Sequence, residues 1–202
     1  MQVIATDVLD TKEKMVNMAQ EQLKKPGFAI DPYFYRSHVT YQSELEHIIF
    51  KSWLYAGHVS QIPNKGDYFL FDIGEDSIII CRDRKEEIHA MHNMCRHRGA
   101  RVCEEPSGNC RVFACPYHGW GYALDGTLKA ARDMRDVEGF NFEDYGLLHV
   151  RMEIFQGMIF INCDPDAPDF KKPLSKISKQ LGAYDLENAK VCLLYTSPSP
   201  RD

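Results

Sequence analysis

The chain has 202 residues, 44% hydrophobic and 26% charged, which is apolar enough to bury a core and excludes intrinsic disorder and fibrous repeats. A formal net charge of −5 supplies no basic field for nucleic acid. The longest aliphatic stretches, such as Ile78-Ile79-Ile80 and Met158-Ile159-Phe160-Ile161, fall far short of the ~20 apolar residues that cross a bilayer, and nothing at the N-terminus reads as a secretory signal. A cytoplasmic protein is expected, and its seven cysteines then point to metal ligation or burial rather than to disulfides.

In chain order, Asp10 or Thr11 can cap a helix running to about Lys24, closed by Pro26-Gly27, and a second helix is expected from about Thr40 to Ser52. From Trp53 the period changes. Short runs rich in β-branched and aromatic residues (53–58, 68–73, 77–82, 88–92, 111–114, 121–124, 147–152 and 158–162) alternate with turns such as Pro63-Asn64-Lys65-Gly66, Gly74-Glu75-Asp76, Asp125-Gly126 and Phe155-Gln156-Gly157. Many short strands at close spacing predict a mainly β, antiparallel domain over 41–164, preceded by a helical leader over 1–40. The Asp164-Pro165 segment reads as a boundary, after which Leu174, Ile177 and Leu181 suggest a helix that opens a further domain over 165–191. The last eleven residues, 192–202, read as a translated sequencing adapter, so the natural reading frame is expected to continue past Val191.

Two matched clusters lie inside the β region, Cys95-Arg96-His97 and Cys115-Pro116-Tyr117-His118, with 17 residues between His97 and Cys115. Each supplies one thiolate and one imidazole, and each has a glycine beside it, Gly99 and Gly119, where backbone can bend sharply toward a bound centre. Four such ligands suit Zn²⁺ or a [2Fe–2S] centre in which two His replace two Cys on one iron. Structural zinc sites commonly pair like ligands along the chain, whereas each loop here carries one of each kind.

The stretches Asn93-Met94-Cys95-Arg96-His97-Arg98-Gly99-Ala100 and Cys115-Pro116-Tyr117-His118-Gly119-Trp120-Gly121-Tyr122, with Asp125-Gly126, resemble the Rieske motif of the α subunits of Rieske non-haem iron oxygenases. The resemblance runs from the leader to Asp164-Pro165. It implies a Rieske [2Fe–2S] antiparallel β domain, N-terminal helices and the start of an α+β catalytic domain, with Cys95 and Cys115 on one iron and His97 and His118 on the other. It further implies a ferredoxin or a flavin/iron–sulfur reductase as electron donor, a homotrimer with or without β subunits, and hydroxylation of an aromatic or quaternary-amine substrate.

The family's mononuclear Fe(II) site, two His and a carboxylate in a C-terminal domain, has no counterpart in this sequence, whose last histidine is His149. His92 and His97 have the right internal spacing, but His89 stands where an Asp or Asn is needed. In the Rieske proteins of respiratory complexes, two further cysteines and a cluster-facing serine occupy places that here hold Ala100, Tyr117 and Trp120. Fewer hydrogen bonds to the cluster then predict the low end of a range of roughly −150 to +300 mV.

Arg96, Arg98, Arg101 and Arg111 gather around the first loop against Glu104 and Glu105, which suits either a docking patch for an acidic donor or plain solvated charge. His38, His47, His58 and His149 read as packing or surface residues, and Cys81, Cys103, Cys110 and Cys163 as buried or idle thiols. Trp120 reads as a shield for the cluster or as ordinary β core. No phosphate-cradling glycine loop is present, so a separate protein is expected to oxidise NADH. A stand-alone Rieske ferredoxin and a zinc-stabilised binding module are the competing expectations.

Overall fold

The computed structural model describes residues 10–134 and 136–191, and the adapter-like segment 192–202 lies outside them. The chain divides into two compact units, 1–52 and 53–202.

In the first unit, helix α1 (Lys12–Leu23) starts where the Thr11 hydroxyl accepts from Lys14 N. Helix α2 (His38–Glu44) runs on through a π turn (Leu45–Ile49), and Ser37 Oγ accepts from Thr40 N at its start. Asp10 ties the two helices together. Its carboxylate accepts from the Tyr33 and Ser37 hydroxyls at 2.8 and 2.7 Å and from His38 N at 2.8 Å. The sequence placed the end of the leader at residue 40, but the division after Ser52 assigns α2 and the π turn to it.

The second unit is built from three antiparallel sheets. One orders β1 (Leu54–His58), β10 (Met158–Asn162) and β9 (Arg151–Phe155) side by side. The second orders β4 (Ile88–His92), β3 (Asp76–Arg82), β2 (Asp67–Ile73) and β5 (Ser107–Asn109). The third is β6 (Phe113–Ala114), β7 (Gly121–Tyr122) and β8 (Leu128–Ala130). Strand β3 is central in its sheet and buried on both faces, so Ile78, Ile79, Ile80 and Cys81 form a continuous apolar run instead of an alternating one. Ile79 and Cys81 share one core with Met91, Phe113, Trp120, Tyr122, Leu124 and Leu128, and Cys95 and Cys115 lie in that same core.

The segment after β10 returns over the first sheet. Phe170 packs on Trp53 and Phe160 at centroid distances of 4.9 and 4.8 Å, and Trp53 Nε1 donates to the Pro168 carbonyl at 2.9 Å. Helix α3 (Lys171–Leu181) follows. No helix among the described residues is long and apolar enough to cross a membrane.

The expected strand over 147–152 lies four residues further on, at β9. Residues 147–150 instead join β4 through an isolated Met91–His149 bridge and the bond from Val150 N to Ala90 O, which leaves them outside a ladder.

Candidate metal centre

Each of the two loops rises from the second or third sheet and closes on itself in the same way. Cys95 N donates to Ala100 O at 2.8 Å and Gly99 N to Cys95 O at 2.9 Å. Cys115 N donates to Trp120 O at 2.8 Å and Gly119 N to Cys115 O at 3.0 Å. The glycines that complete these turns have φ of +72° and +71°, a region costly for residues with a Cβ. A Cβ at either would meet no protein atom within 4 Å, so backbone conformation and not close approach calls for glycine there.

The buried Asn93 side chain pins the first loop to the sheet. Its Nδ2 donates to Cys103 O at 2.7 Å and to Ser77 Oγ at 3.2 Å, while Oδ1 accepts from Val102 N and Cys103 N at 2.9 and 2.8 Å. All the hydrogen-bonding capacity of the amide is used, which makes the loop base rigid.

The two loops bring their donors together by type. Cys95 and Cys115 are both buried in the same core, and after burial itself Cys95 is among the neighbours that raise the Cys115 thiol. The His97 and His118 rings lie 4.7 Å apart, edge to face. Burial, followed by the neighbouring His118 and Arg98, pulls the His97 imidazole below its usual range and favours the neutral ring that a metal requires. His97 Nδ1 is a buried nitrogen without a hydrogen-bond partner, an expensive state for a polar atom unless something else satisfies it. Burial raises the Cys115 thiol, so thiolate formation there calls for a positive charge at the sulfur.

Two aromatic contacts frame the imidazoles. Trp120, 2% exposed, stacks face to face on His97 at 4.9 Å and 9°. Tyr117, 59% exposed, stacks on His118 at 3.9 Å and 30°. Trp120 is thus a core residue that also covers one face of the His97 ring.

Sequence reasoning missed Tyr122, whose hydroxyl lies 3.2 Å from Cys95 Sγ and accepts from Arg96 N at 3.0 Å. The signal available was its place in the flank of the second cluster, four residues past His118.

The remaining candidates disperse. Among the described residues, Asp83, Glu87 and His89 are the set of three metal-type donors lying within 4.8 Å of one another, and His89 Nε2 faces Asp83 Oδ2 at 3.2 Å. The four loop donors supply no such set. A single tetrahedral ion would draw all four to within about 4 Å of each other, whereas a binuclear cluster separates the thiolates and imidazoles onto different irons. The donor set, its pairing by type and the unpartnered His97 nitrogen fit a His-ligated two-iron cluster.

Of the arginines, Arg101 faces the β2–β3 turn, 3.7 Å from Asp72 and 3.4 Å from Glu75 O; Arg98 and Arg111 are exposed. His58 is buried, with ring nitrogens 2.9 Å from Ser60 Oγ and 3.0 Å from Leu186 O. Cys81 and Cys103 are buried, and Cys110 and Cys163 half-buried, all free thiols.

Residues 52–141 match the Rieske [2Fe-2S] domain. The chain is 42% identical over 141 residues to the biphenyl 2,3-dioxygenase subunit alpha of Rhodococcus jostii (strain RHA1), an alignment covering 69% of this chain and 31% of that one. It is 34% identical over 170 residues to the glycine betaine monooxygenase oxygenase subunit of Pseudomonas aeruginosa (strain UCBPP-PA14), covering 84% and 39%. Naphthalene 1,2-dioxygenase from a Rhodococcus species, solved with bound indole, superposes with a TM-score of 0.73 at 29% identity, over 86% of this chain and 40% of that one. The chain thus spans between 31% and 40% of the length of these proteins.

Proposed function

From a chain that carries a Rieske [2Fe-2S] domain and is homologous to the α subunits of Rieske ring-hydroxylating oxygenases, we propose that Cys95, His97, Cys115 and His118 hold a [2Fe–2S] cluster serving as the electron relay of an oxygenase. The observation that carries this reading is the meeting of the two imidazoles, with both cysteines buried in one core, across two loops that each contribute one Cys and one His. In this reading Cys95 and Cys115 hold one iron as thiolates, and His97 and His118 hold the other as neutral imidazoles. When bound, such a cluster accepts and releases one electron at a time. The protein's own contribution is a buried pair of sulfurs, two half-buried imidazoles of which one lies against a buried indole, and a loop base locked by Asn93.

The full-length protein, in the same proposal, takes electrons from a ferredoxin or a flavin/iron–sulfur reductase. It delivers them to a mononuclear Fe(II) held by two His and a carboxylate in a C-terminal domain, for O₂-dependent hydroxylation of an aromatic or quaternary-amine substrate. The two substrate classes come from the biphenyl and glycine betaine enzymes that the chain resembles. A homotrimer, with or without β subunits, and a cytoplasmic location complete the proposal; six free cysteines among the described residues suit a reducing compartment. Similarity reaches over 84% of the chain, well past the cluster domain, which favours an oxygenase subunit over a stand-alone ferredoxin.

The test is iron and acid-labile sulfide analysis of the anaerobically purified chain, with EPR after dithionite reduction. Equal iron and sulfide, two of each per chain, and a signal lost in His97→Ala and His118→Ala are the expected results. Zinc without sulfide overturns the proposal.

A further inference from the structure

The two histidines of the centre are held by different means. The His97 ring is nearly parallel to the Trp120 indole, 9° off at 4.9 Å. Trp120 is 2% exposed and is itself braced edge-on by Phe140 at 5.7 Å and Tyr145 at 5.8 Å. Phe140 and Tyr145 stack on each other at 4.6 Å, and Phe142 closes on Phe140 at 5.3 Å. A contiguous cluster of five rings thus runs from the 3₁₀ turn Phe142–Tyr145 through Trp120 to one imidazole. His118 is held differently: its ring meets the edge of the His97 ring at 4.7 Å and Tyr117, the residue next to it in the chain, which is 59% exposed.

We propose that Trp120 is a positioning residue that fixes the plane of the His97 imidazole, so that the centre has one rigid histidine, His97, and one adjustable histidine, His118. The assignment rests on reading the two loops as the cluster loops. Histidine ligands are commonly oriented by a hydrogen bond from the second ring nitrogen. Here the contact that sets the His97 plane is a buried, braced aromatic face, and rotation of the imidazole would have to break that stack and open a void against the indole. Rotation of His118 displaces a solvent-facing tyrosine and slides past the edge of His97, with no braced indole against it among the described residues.

Pulsed EPR of the reduced full chain resolves the nitrogens of the two coordinated histidines and separates the outcomes. Trp120→Leu is expected to shift or broaden one nitrogen coupling while leaving the other in place. It is also expected to speed iron loss to a chelator about tenfold, the usual scale for removing an outer partner of a metal ligand. Trp120→Phe, which keeps a flat ring under His97, is expected to restore both readouts toward wild type. Tyr145→Leu, which loosens the brace and leaves the indole in place, is expected to disturb the same nitrogen to a smaller degree, and it carries the test if Trp120→Leu does not fold. Unchanged couplings in both variants, or equal change at both nitrogens, overturns the assignment. A wild-type chain with no two-nitrogen signal overturns the cluster reading itself, and this assignment with it.

Discussion

The Tyr122 hydroxyl sits 3.2 Å from Cys95 Sγ, reaching across 27 residues of chain to the first loop from strand β7. It also accepts from Arg96 N at 3.0 Å, so the proton of the hydroxyl is free to point at the sulfur. Donation to a thiolate stabilises the more negative, reduced cluster and raises its potential. The sequence led to an expectation of the low end of the Rieske range because Trp120 stands where respiratory proteins have a serine. The structure adds one hydroxyl beside Cys95, that of Tyr122 at the end of the second cluster's flank.

Tyr122→Phe therefore has two expected effects. The reduction potential falls, read by redox titration of the EPR or visible signal. Stability drops by about 1–3 kcal/mol, because the amide of Arg96 loses its acceptor at a half-buried site. A potential equal to or above wild type would show that the hydroxyl does not donate to the sulfur.

The leader unit has its own electrostatic lock. Asp10 is held down to about 2, first by the Ser37 hydroxyl, then by Tyr33 and by the amides of Val39 and His38, which outweigh the opposing desolvation. A carboxylate whose folded pKa lies below its unfolded value stabilises the fold at pH above the unfolded pKa, and that contribution fades as pH falls toward the folded one. Protection of the amides in 12–52, measured against their intrinsic exchange at each pH, is expected to stay high at pH 5 and to fall as the pH drops from about 4 toward 2. Asp10→Ala is expected to show the lower protection already at pH 5, with little further loss on acidification. Protection in the variant that still falls between pH 4 and 2 would assign the lock to another group.

The strands that were legible in the sequence are those in which side chains carry the signal. Strands β2, β3, β4 and β10 are runs of Ile, Phe, Met and Tyr between turn residues. Strand β5, Ser107-Gly108-Asn109, has no apolar pattern at all and is a strand only because its backbone pairs with β2, from Asp67–Asn109 to Phe69–Ser107. Tertiary pairing of this kind leaves no local trace. At the centre, the four donors could be read from their spacing. The Tyr122–Cys95 contact and the His97–Trp120 stack depend on how two distant loops face each other, which spacing does not encode.

The hairpin turn between β9 and β10 tests packing against backbone strain. Gln156 and Gly157 both have positive φ, at 48° and 79°, and a Cβ on Gly157 would land on the His58 imidazole. Gly139 has the same φ of 79° with nothing within 4 Å of its would-be Cβ. Gly139→Ala is expected to cost only the left-handed conformation, about 1–2 kcal/mol. Gly157→Ala carries that cost and a further 1–3 kcal/mol or so of overpacking, since His58 is buried and held by Ser60 and Leu186. Denaturant midpoints of the two variants measure the difference directly. Equal destabilisation would mean that His58 swings aside without penalty.

Thiol chemistry gives an independent view of which cysteines the core keeps and which the centre uses. Burial, and after it the neighbouring Cys110, pushes the Cys81 and Cys103 thiols up to about 12, so almost no thiolate is available at pH 8. Cys110 and Cys163 are raised less and are half-buried. In the iron-loaded chain, alkylation at pH 8 mapped by peptide mass spectrometry is expected to modify Cys163 and Cys110 first and to spare Cys81, Cys95, Cys103 and Cys115. Stripping the iron with a chelator is then expected to add Cys95 and Cys115 to the reactive set, because the proposed iron–sulfur bonds no longer mask them, while Cys81 and Cys103 stay inert. Labelling of Cys95 and Cys115 at the same rate with and without iron would place the metal elsewhere. Rapid labelling of Cys81 would instead mean that the β3 core opens on the timescale of the reaction, because a thiol protonated up to about pH 12 reacts only after it reaches solvent.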